Sequence, residues 1–397
     1  MEQRKKPDLR LVEPEDREPL GKRLQMNMKY MLKHWGSRTV LAAVIIAVAY
    51  LILTNKQYTE VVRTIAYKEE ASDANRYEQF GTGIVRYSRD GVVFLNRRNE
   101  EQWIHPCQIR HPVIDTNGET FAVADVGGNS ILVFTEEGIK GEMETTLPIE
   151  KISISDQGIV SAILKNETTP MIMLYDATGN VLVEQQVSSS SMGYPVAIDL
   201  SADGKTLGVS YLLVKDGAQK SGIVFYNYGK PGSEKADNVV SKDYFDDQII
   251  PEIFFMGDNT AVAVGDKSII LYTVGSVPDK KDEVALDQEI KSVFHTDQYI
   301  GLVLLNSDKS GFEARLYNKN GKQIMNTEFE GEYSDIKMVK DEIIMTGDSN
   351  CQIITKKGLH RFKGDMKGEV LEIIPAAGPN RYLVMSDNTL SNIFLIR

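Results

Sequence analysis

One short phrase recurs along this chain at nearly even spacing. It is an apolar strand that ends in an aromatic or aliphatic pair and is followed by a polar turn. The copies are GVVFLN (91–96), SILVFT (130–135), MIMLYD (171–176), GIVFYN (222–227), SIILYT (268–273), EARLYN (313–318), CQIITK (351–356) and NIFLIR (392–397). Their centres lie about 40 to 50 residues apart, and a period of this length indicates a repeat architecture with several strands in each unit.

Other strands accompany each copy of the phrase. A second apolar strand precedes it by about ten residues, as in TFAVAD (120–125), and a shorter strand such as PVAID (195–199) comes before that one. A more polar strand follows, as in ATGNVLVEQQV (177–187). This order matches a four-stranded blade built from its inner to its outer strand. The sequence therefore predicts an all-β, eight-bladed β-propeller, with seven blades as the alternative if the irregular first unit is not a full blade.

The turns between these strands have their own chemistry. In GYPVAIDLSADGKTLGVSYL (193–212) the apolar PVAIDL meets SADG, and TLGVSYL follows. A tight turn requires a side-chain cap and a residue that tolerates positive φ, which Asp and Gly supply. We interpret DVGGNS (125–130) in the same way, as a turn, because no helix follows it to complete a phosphate site.

The last unit of the repeat is incomplete. It stops inside or just after its third strand, and the strand-like YTEVVRTIAY (58–67) is left over far upstream. An open sheet edge is a liability, so the sequence predicts that this segment pairs with Asn392–Arg397 as the missing outer strand. Val61, Val62 and Ile65 should then be partly buried. RYEQFG (76–81) should form the inner strand of the first blade.

An apolar run, VLAAVIIAVAYLIL, extends from Val40 to Leu53 without a charge. It has about 14 residues, whereas a spanning helix needs roughly 20, and it reaches about 24 if the flanking Trp35 and Tyr58 mark the two interfaces. We predict one uncleaved transmembrane anchor over residues 39–57, followed by an extracytoplasmic domain over residues 58–397. A cleaved signal peptide ending near Ala47-Val48-Ala49 and a buried core helix are the alternatives.

Charge sets the expected orientation of that anchor. Residues 1–38 hold ten Lys or Arg against six Asp or Glu, a balance of +4, while the remainder carries −15. The positive-inside rule then places the N-terminus in the cytoplasm and the domain outside the cell membrane. Residues 20–38 also suit a helix on the anionic inner leaflet, or simply a solvated basic flank. Its cations are Lys22, Arg23, Lys29 and Lys33.

Composition excludes several kinds of site. An acidic domain offers no basic footprint for nucleic acid. Two cysteines, Cys107 and Cys351, are too few for a disulfide scaffold, and with another blade between them we predict two free thiols. His105 and His111 are six residues apart, a spacing that does not indicate a pair of metal ligands. The sequence contains no hydrolase, zincin or nucleotide-binding motif. We therefore expect no catalytic residues, no metal and no cofactor.

Several phrases together resemble one family. They are GIVRYSRDG (83–91), LPIEKISIS (147–155), the stretch at 193–212 and GIVFYNYGK (222–230), behind a short basic N-terminus and an anchor. The chain resembles uncharacterised bacterial single-span membrane proteins with a β-propeller ectodomain, a family of unknown function. The resemblance implies a cell-surface location in Gram-positive-type bacteria and assigns no catalytic residues. The SxDG turns are more distantly similar to those of WD40-like and quinoprotein-like propellers, although the Trp-Asp and Gly-His pairs of WD40 repeats are missing.

Three functions fit these features. The leading hypothesis is a non-enzymatic platform that binds or scaffolds an envelope protein or glycan. The others are an envelope enzyme, hydrolytic or quinone-dependent, with its site on the funnel face, and a transmembrane signalling component that uses residues 1–38. A ligand is expected on the axial face where loops lead into the inner strands. The candidate residues there are Arg110, His111 and Tyr194, each of which could instead pack against a neighbouring blade.

Overall fold

The computed structural model describes residues 38–52, 56–68, 75–98, 100–166, 169–188, 192–215, 217–307, 310–376, 378, 380–386 and 389–397. These residues belong to two units, residues 1–56 and residues 57–397. In the first unit, helix α1 covers residues 38–52 with exposed side chains. None of the helices in the described part of the chain combines the length and the apolar character that a bilayer crossing requires. Leu53 and the four cations predicted to contact the inner leaflet lie outside the described residues.

In the second unit, the described strands form eight four-stranded antiparallel sheets, which confirms the predicted eight-bladed β-propeller. Seven of the sheets are consecutive in sequence, and the eighth combines the first strand with the last three. The inner strands are β2 (Arg76–Phe80), β6 (Pro112–Asn117), β10 (Ile149–Ile154), β14 (Tyr194–Leu200), β18 (Glu252–Phe255), β22 (Ile290–His295), β26 (Asp335–Val339) and β30 (Glu372–Pro375).

The second and third strands of the blades form the buried layers of the ring. The second strands are β3 (Gly83–Tyr87), β7 (Thr120–Asp125), β11 (Val160–Leu164), β15 (Thr206–Lys215), β19 (Thr260–Val264), β23 (Tyr299–Leu305), β27 (Glu342–Thr346) and β31 (Arg381–Met385). The third strands are β4 (Gly91–Asn96), β8 (Ser130–Thr135), β12 (Met171–Tyr175), β16 (Ala218–Asn227), β20 (Ser268–Thr273), β24 (Phe312–Asn318), β28 (Asn350–Thr355) and β32 (Thr389–Ile396).

The outer strands complete the blades. They are β5 (Glu101–Pro106), β9 (Gly138–Glu144), β13 (Val181–Gln186), β17 (Val239–Asp246), β21 (Asp279–Ala285), β25 (Gln323–Phe329), β29 (His360–Asp365) and β1 (Glu60–Lys68). A departure from the all-strand prediction lies between β16 and β17, where a short helix α2 (Lys230–Ser233) and a 3₁₀ turn (Ala236–Asn238) intervene.

Burial explains why the strands differ in composition. All six residues of β7 are buried, because a second strand has neighbouring blades on both faces, and such strands are continuously apolar. In β5 the pattern alternates, with only Trp103 and His105 partly covered. The cores lie between blades: Phe80 and Phe94 of blade 1 share one cluster with Phe121 and Phe134 of blade 2.

The turn that the sequence analysis identified between β14 and β15 has the expected geometry. Ser201 Oγ donates to Asp203 Oδ1 at 2.8 Å, and the Lys205 N–H donates to the same carboxylate oxygen at 3.1 Å. Gly204 has φ +69°, a conformation that only glycine adopts without strain. The phrase SADG is therefore structural, as predicted.

Closure of the ring also follows the prediction. Strand β1 pairs antiparallel with β32, from Glu60 opposite Ile396 to Lys68 opposite Thr389. The expected burial was right for Val61, which is fully buried, and wrong for Val62 and Ile65, which are 45% and 59% exposed. As the outermost strand of its blade, β1 has protein on one face only, so the side chains that do not face the core meet solvent.

The two cysteines are free, as predicted. Cys107 follows the outer strand of blade 1, and Cys351 lies near the start of the third strand of blade 7. Blade 8 separates them in the ring. A disulfide would need the two Cα atoms within about 7 Å, and the intervening blade keeps the two cysteines from pairing.

Candidate functional site

Each blade begins with an inner strand, and the inner strands all run in the same direction. We call the axial side where they begin the top face and the side where they end the bottom face. The outer strand of one blade returns to the top face, so the connections between blades lie there. Arg110, His111 and Tyr194 were predicted on this face; the structure places Arg110 and His111 directly before β6 and Tyr194 at the first position of β14.

Arg110 and His111 border a groove between blades 1 and 2 with a volume of about 810 Å³. Their backbone N–H groups donate to Asp125 Oδ1 at 3.0 and 2.8 Å, and both side chains are exposed. Gly128 lines the same groove, where an added Cβ would lie 2.2 Å from Asp125 Oδ2. The DVGGNS stretch is thus a strand-to-strand turn, and its glycine leaves room for the carboxylate that fixes the loop.

Tyr194 is not part of that groove. It begins the inner strand of blade 4, and its hydroxyl donates to Glu150 Oε2 of blade 3 at 2.5 Å. Burial, together with this carboxylate, raises the pKa of Tyr194 to about 12. The structure therefore brings Arg110 and His111 together but leaves Tyr194 as a tie between two neighbouring blades.

The bottom face holds a second concavity, which we call the axial basin. It has a volume of about 690 Å³ and is lined by the ends of the inner strands of five consecutive blades, 2 to 6. Six carboxylates border it, and neither lysine nor arginine does. They are Asp115, Asp156, Asp199, Glu252, Asp258 and Asp297.

Two of these carboxylates connect neighbouring blades. Asp115 Oδ2 accepts the Ile154 N–H at 2.7 Å, which joins blade 2 to blade 3. Asp199 Oδ1 accepts Ser153 Oγ at 2.8 Å from blade 3, and its Oδ2 accepts the Phe255 N–H at 2.6 Å from blade 5. The inner ring of blades 2 to 5 is therefore held by side-chain bonds at the floor of the basin.

These two carboxyl groups have unusual acidity. Burial, followed by the charge of Asp199, raises the pKa of Asp115 to about 7. Burial also raises the pKa of Asp199 to about 6, against the hydrogen bonds that it accepts. Desolvation disfavours the charged form of a carboxyl group and so raises its pKa. For Asp115, repulsion from the Asp199 carboxylate raises the pKa further.

An aromatic pair forms part of the basin wall. The rings of Phe254 and His295 stack with centroids 3.8 Å apart and planes inclined by 3°. Although the imidazole is accessible from the basin, the surrounding protein displaces bulk water and lowers the pKa of His295 to about 4, against the charge of Asp297. The ring is therefore neutral at physiological pH and presents a flat face beside carboxylates.

The structure does not gather the histidines. His105 lies on the outer strand of blade 1, edge-on to Phe134 at 5.5 Å, whereas His111 is on the top face. Within the described ranges, no three His, Cys, Asp or Glu side chains are placed to hold a metal ion. The basin itself was missed by sequence reasoning. A usable signal existed, because PVID (112–115) and VAID (196–199) both contain an Ile-Asp pair whose aspartate lies in the second half of an inner strand.

Fold and concavities together define this domain as an eight-bladed β-propeller with a groove on its top face and an axial basin on its bottom face. The chain belongs to the family of unknown function DUF5711, whose model matches residues 54–395. This agrees with the family resemblance seen in the sequence. Comparison with curated proteins found no match.

A solved propeller structure shares the fold. BamB from Moraxella catarrhalis aligns with a TM-score of 0.52 and 12% identity, over 84% of this chain and 100% of that chain. The Pan2 WD40 domain from Neurospora crassa aligns with a TM-score of 0.45 and 10% identity, over 72% of this chain and 90% of that chain. At these identities the likeness to BamB shows a shared propeller fold and nothing about ligands.

Proposed function

We propose that this protein is a membrane-anchored β-propeller that acts as a non-enzymatic binding platform on the outer side of the cell membrane. The uncharged run from Val40 to Leu53 and the cations before it support the anchor and its orientation. The described helix of 38–52 extends for about 22 Å at 1.5 Å per residue, compared with about 30 Å for the hydrocarbon core of a bilayer.

The axial basin is the observation that carries the binding role. Concave sites of several hundred Å³ with a few converging polar groups are the usual form of a ligand site. The charged groups that line the basin are all carboxylates, and the stacked rings of Phe254 and His295 lie beside them. This combination suits a cationic group. We propose that a partner inserts such a group, for example a lysine side chain, between Asp258 and Asp297.

An enzymatic role is the second candidate, and the Asp115–Asp199 pair favours it, because raised pKa values are typical of general acids. Both carboxylates, however, already accept backbone N–H groups of neighbouring blades. These hydrogen bonds connect neighbouring blades, so a structural role is enough to explain why the two carboxylates are buried there. Turnover by the purified protein without stable binding would favour the enzyme.

The binding role is tested with the full chain in neutral detergent and a fluorescent tetralysine peptide. Asp258→Asn/Asp297→Asn should weaken binding at least about fivefold, because two charges leave the rim. The control Asp237→Asn/Asp279→Asn removes the same charge from exposed positions in blades 4 and 5 and should bind like the parent. Equal binding by all three proteins would exclude the basin as the site.

The proposed topology is tested separately. Protease added outside cells whose wall has been removed should digest the propeller and protect residues 1–30. Trimming of residues 1–30 with protection of the propeller would reverse the orientation. Deleting residues 1–38 without any change in envelope phenotypes would remove the signalling alternative.

A further inference from the structure

A smaller groove lies where the last blade packs against the first, near the bottom face. We call it the blade 8–1 groove; its volume is about 280 Å³. Its guanidinium and amide side chains come in equal number from the two blades. Gln79 and Arg97 belong to blade 1, and Arg381 and Asn392 belong to blade 8.

The charge of this groove is opposite to that of the domain. Arg97 and Arg381 are exposed, no carboxylate lines the groove, and neither arginine forms an ion pair with any residue that the structure describes. Glu100, in the same turn as Arg97, is held by Asn96 Nδ2 at 2.6 Å. Arg381 Cζ lies 5.0 Å from the ring centroid of Phe394, which orients that guanidinium. The two guanidinium groups are therefore free to bind a carboxylate.

The amide groups in the groove are also without partners. Gln79 and Asn392 are half-buried, and neither side-chain amide makes a hydrogen bond within the described part of the chain. Neither amide is among the buried unsatisfied groups, so both reach solvent, and a ligand can take the place of the water that hydrates them. Each amide offers donors and an acceptor, as a peptide backbone does.

The floor between these polar groups is apolar. Ile84, Ile374 and Leu383 form it, and all three are buried in the core that joins blades 8 and 1. Pro375 and Phe394 form part of the walls. Because these three side chains are already shielded from water, an aliphatic side chain placed over this floor would bury chiefly its own apolar surface.

We infer that the blade 8–1 groove docks an extended peptide segment of a partner protein that carries a carboxylate side chain next to an aliphatic one. The arginines bind the carboxylate, the amides of Gln79 and Asn392 bind the peptide backbone, and the apolar floor takes the aliphatic side chain. This site is separate from the axial basin and does not depend on the proposed membrane anchor.

Closure of the ring creates the groove. Its two halves come from the first and the last blade, which pack directly against each other through a shared apolar core in the closed ring. Peptide binding should therefore require the closed ring and should stabilise it, since a ligand that binds only the native form shifts the unfolding equilibrium.

The test uses the full chain in neutral detergent and capped pentapeptides with a central glutamate between leucines. Matched peptides carry glutamine or lysine at the centre. The glutamate peptide should bind about tenfold more tightly than the glutamine peptide, in keeping with a charge-assisted bidentate bond. Arg97→Gln and Arg381→Gln should each remove most of that preference. Lys235→Gln, an exposed cation in blade 4, should retain it.

The inference would be overturned by the absence of a preference for glutamate in the parent protein, or by an unchanged preference in both arginine variants. Because both arginines are exposed, the variants should melt like the parent, which circular dichroism verifies. The basin variant Asp258→Asn/Asp297→Asn should bind the glutamate peptide normally. A loss there would place the peptide in the basin and also overturn the assignment to this groove.

Discussion

Val61 lies opposite Leu395 in an antiparallel pair of strands that joins the two ends of the propeller sequence. Both side chains are fully buried in the core between blades 7 and 8. This pairing supplies the fourth strand of the eighth blade and links the two ends of the propeller sequence in the closed ring. The contribution of the buried Val61 side chain to stability can be measured against that of Val62, the next residue in the strand, because Val62 is exposed to solvent.

We expect Val61→Asp to destabilise the propeller strongly, by about 3 kcal/mol or more, since it places an unpaired charge in a dry core. Val62→Asp is the matched control in the same strand and should change the melting temperature little. Thermal unfolding of the two variants, followed by circular dichroism, measures the difference. Similar melting temperatures would mean that β1 does not contribute to the core.

Removal of β1 gives a second test of closure. A chain that begins at Arg76 lacks β1 and leaves the long edge of β32 unpaired, whereas a chain that begins at Lys56 retains the pairing. We expect the shorter chain to melt at a lower temperature or to aggregate, because an open edge is a template for other strands. Equal melting and equal solubility would show that residues 58–67 are only a linker.

A buried polar cluster joins blade 7 to blade 8. Arg361 Nη1 donates to Glu342 Oε1 at 2.6 Å, and the Tyr382 hydroxyl donates to Glu342 Oε2 at 2.8 Å. Arg361→Met should cost about 3–5 kcal/mol, because it leaves the Glu342 carboxylate buried and without its cation. The double variant Glu342→Gln/Arg361→Met should be less destabilised than Arg361→Met alone. Strictly additive effects in the double-mutant cycle would contradict this coupling.

Asp115 should make stability depend on pH. Its pKa is about 7 in the folded protein, against 3.8 as the ordinary value. Between these values the folded protein binds a proton that the unfolded chain does not, so stability falls as the pH rises through this window. Asp115→Asn removes the penalty and should raise the free energy of unfolding by about 1–3 kcal/mol at pH 8.

The gain from Asp115→Asn should become small near pH 4, where the folded protein carries the proton and pH is close to the ordinary pKa of 3.8 in the unfolded chain. Chemical denaturation at pH 4, 6 and 8 measures this trend. Asp279→Asn, on an exposed outer strand, should show no such trend. A constant difference between Asp115→Asn and wild type at all three pH values would falsify the assignment of the raised pKa.

The thiols should react slowly and separately. Burial raises the pKa of Cys107 to about 11 and raises the pKa of Cys351 further, so both are protonated at pH 7.5. With iodoacetamide we expect slow modification of the half-buried Cys107, and modification of Cys351 only after unfolding. Mass mapping without reductant checks both claims, and a peptide linked through the two cysteines would refute them.

The repeat, the blade boundaries and the closing strand could all be predicted from the sequence. These features depend on local alternation and on spacing: a strand between two blades is continuously apolar, as in TFAVAD, and an outer strand alternates, as in EQWIHP. The strand at 58–67 could be assigned because each blade needs four strands and the last repeat unit supplied only three. The position of Arg110 and His111 at the start of an inner strand followed from the same count.

The chemistry of the faces was decided by the tertiary structure alone. Asp115, Asp199 and His295 come from three blades, and no local pattern states that their strand ends surround one basin or how much water reaches them. The same holds for Arg97 and Arg381, which belong to blades 1 and 8 and line one groove only in the folded ring. Period and burial are properties of each strand and its immediate neighbours, so the sequence determines them. The depth of a carboxylate, its pKa and its partners across the axis depend on the summed geometry of eight blades, which exists only in the folded ring.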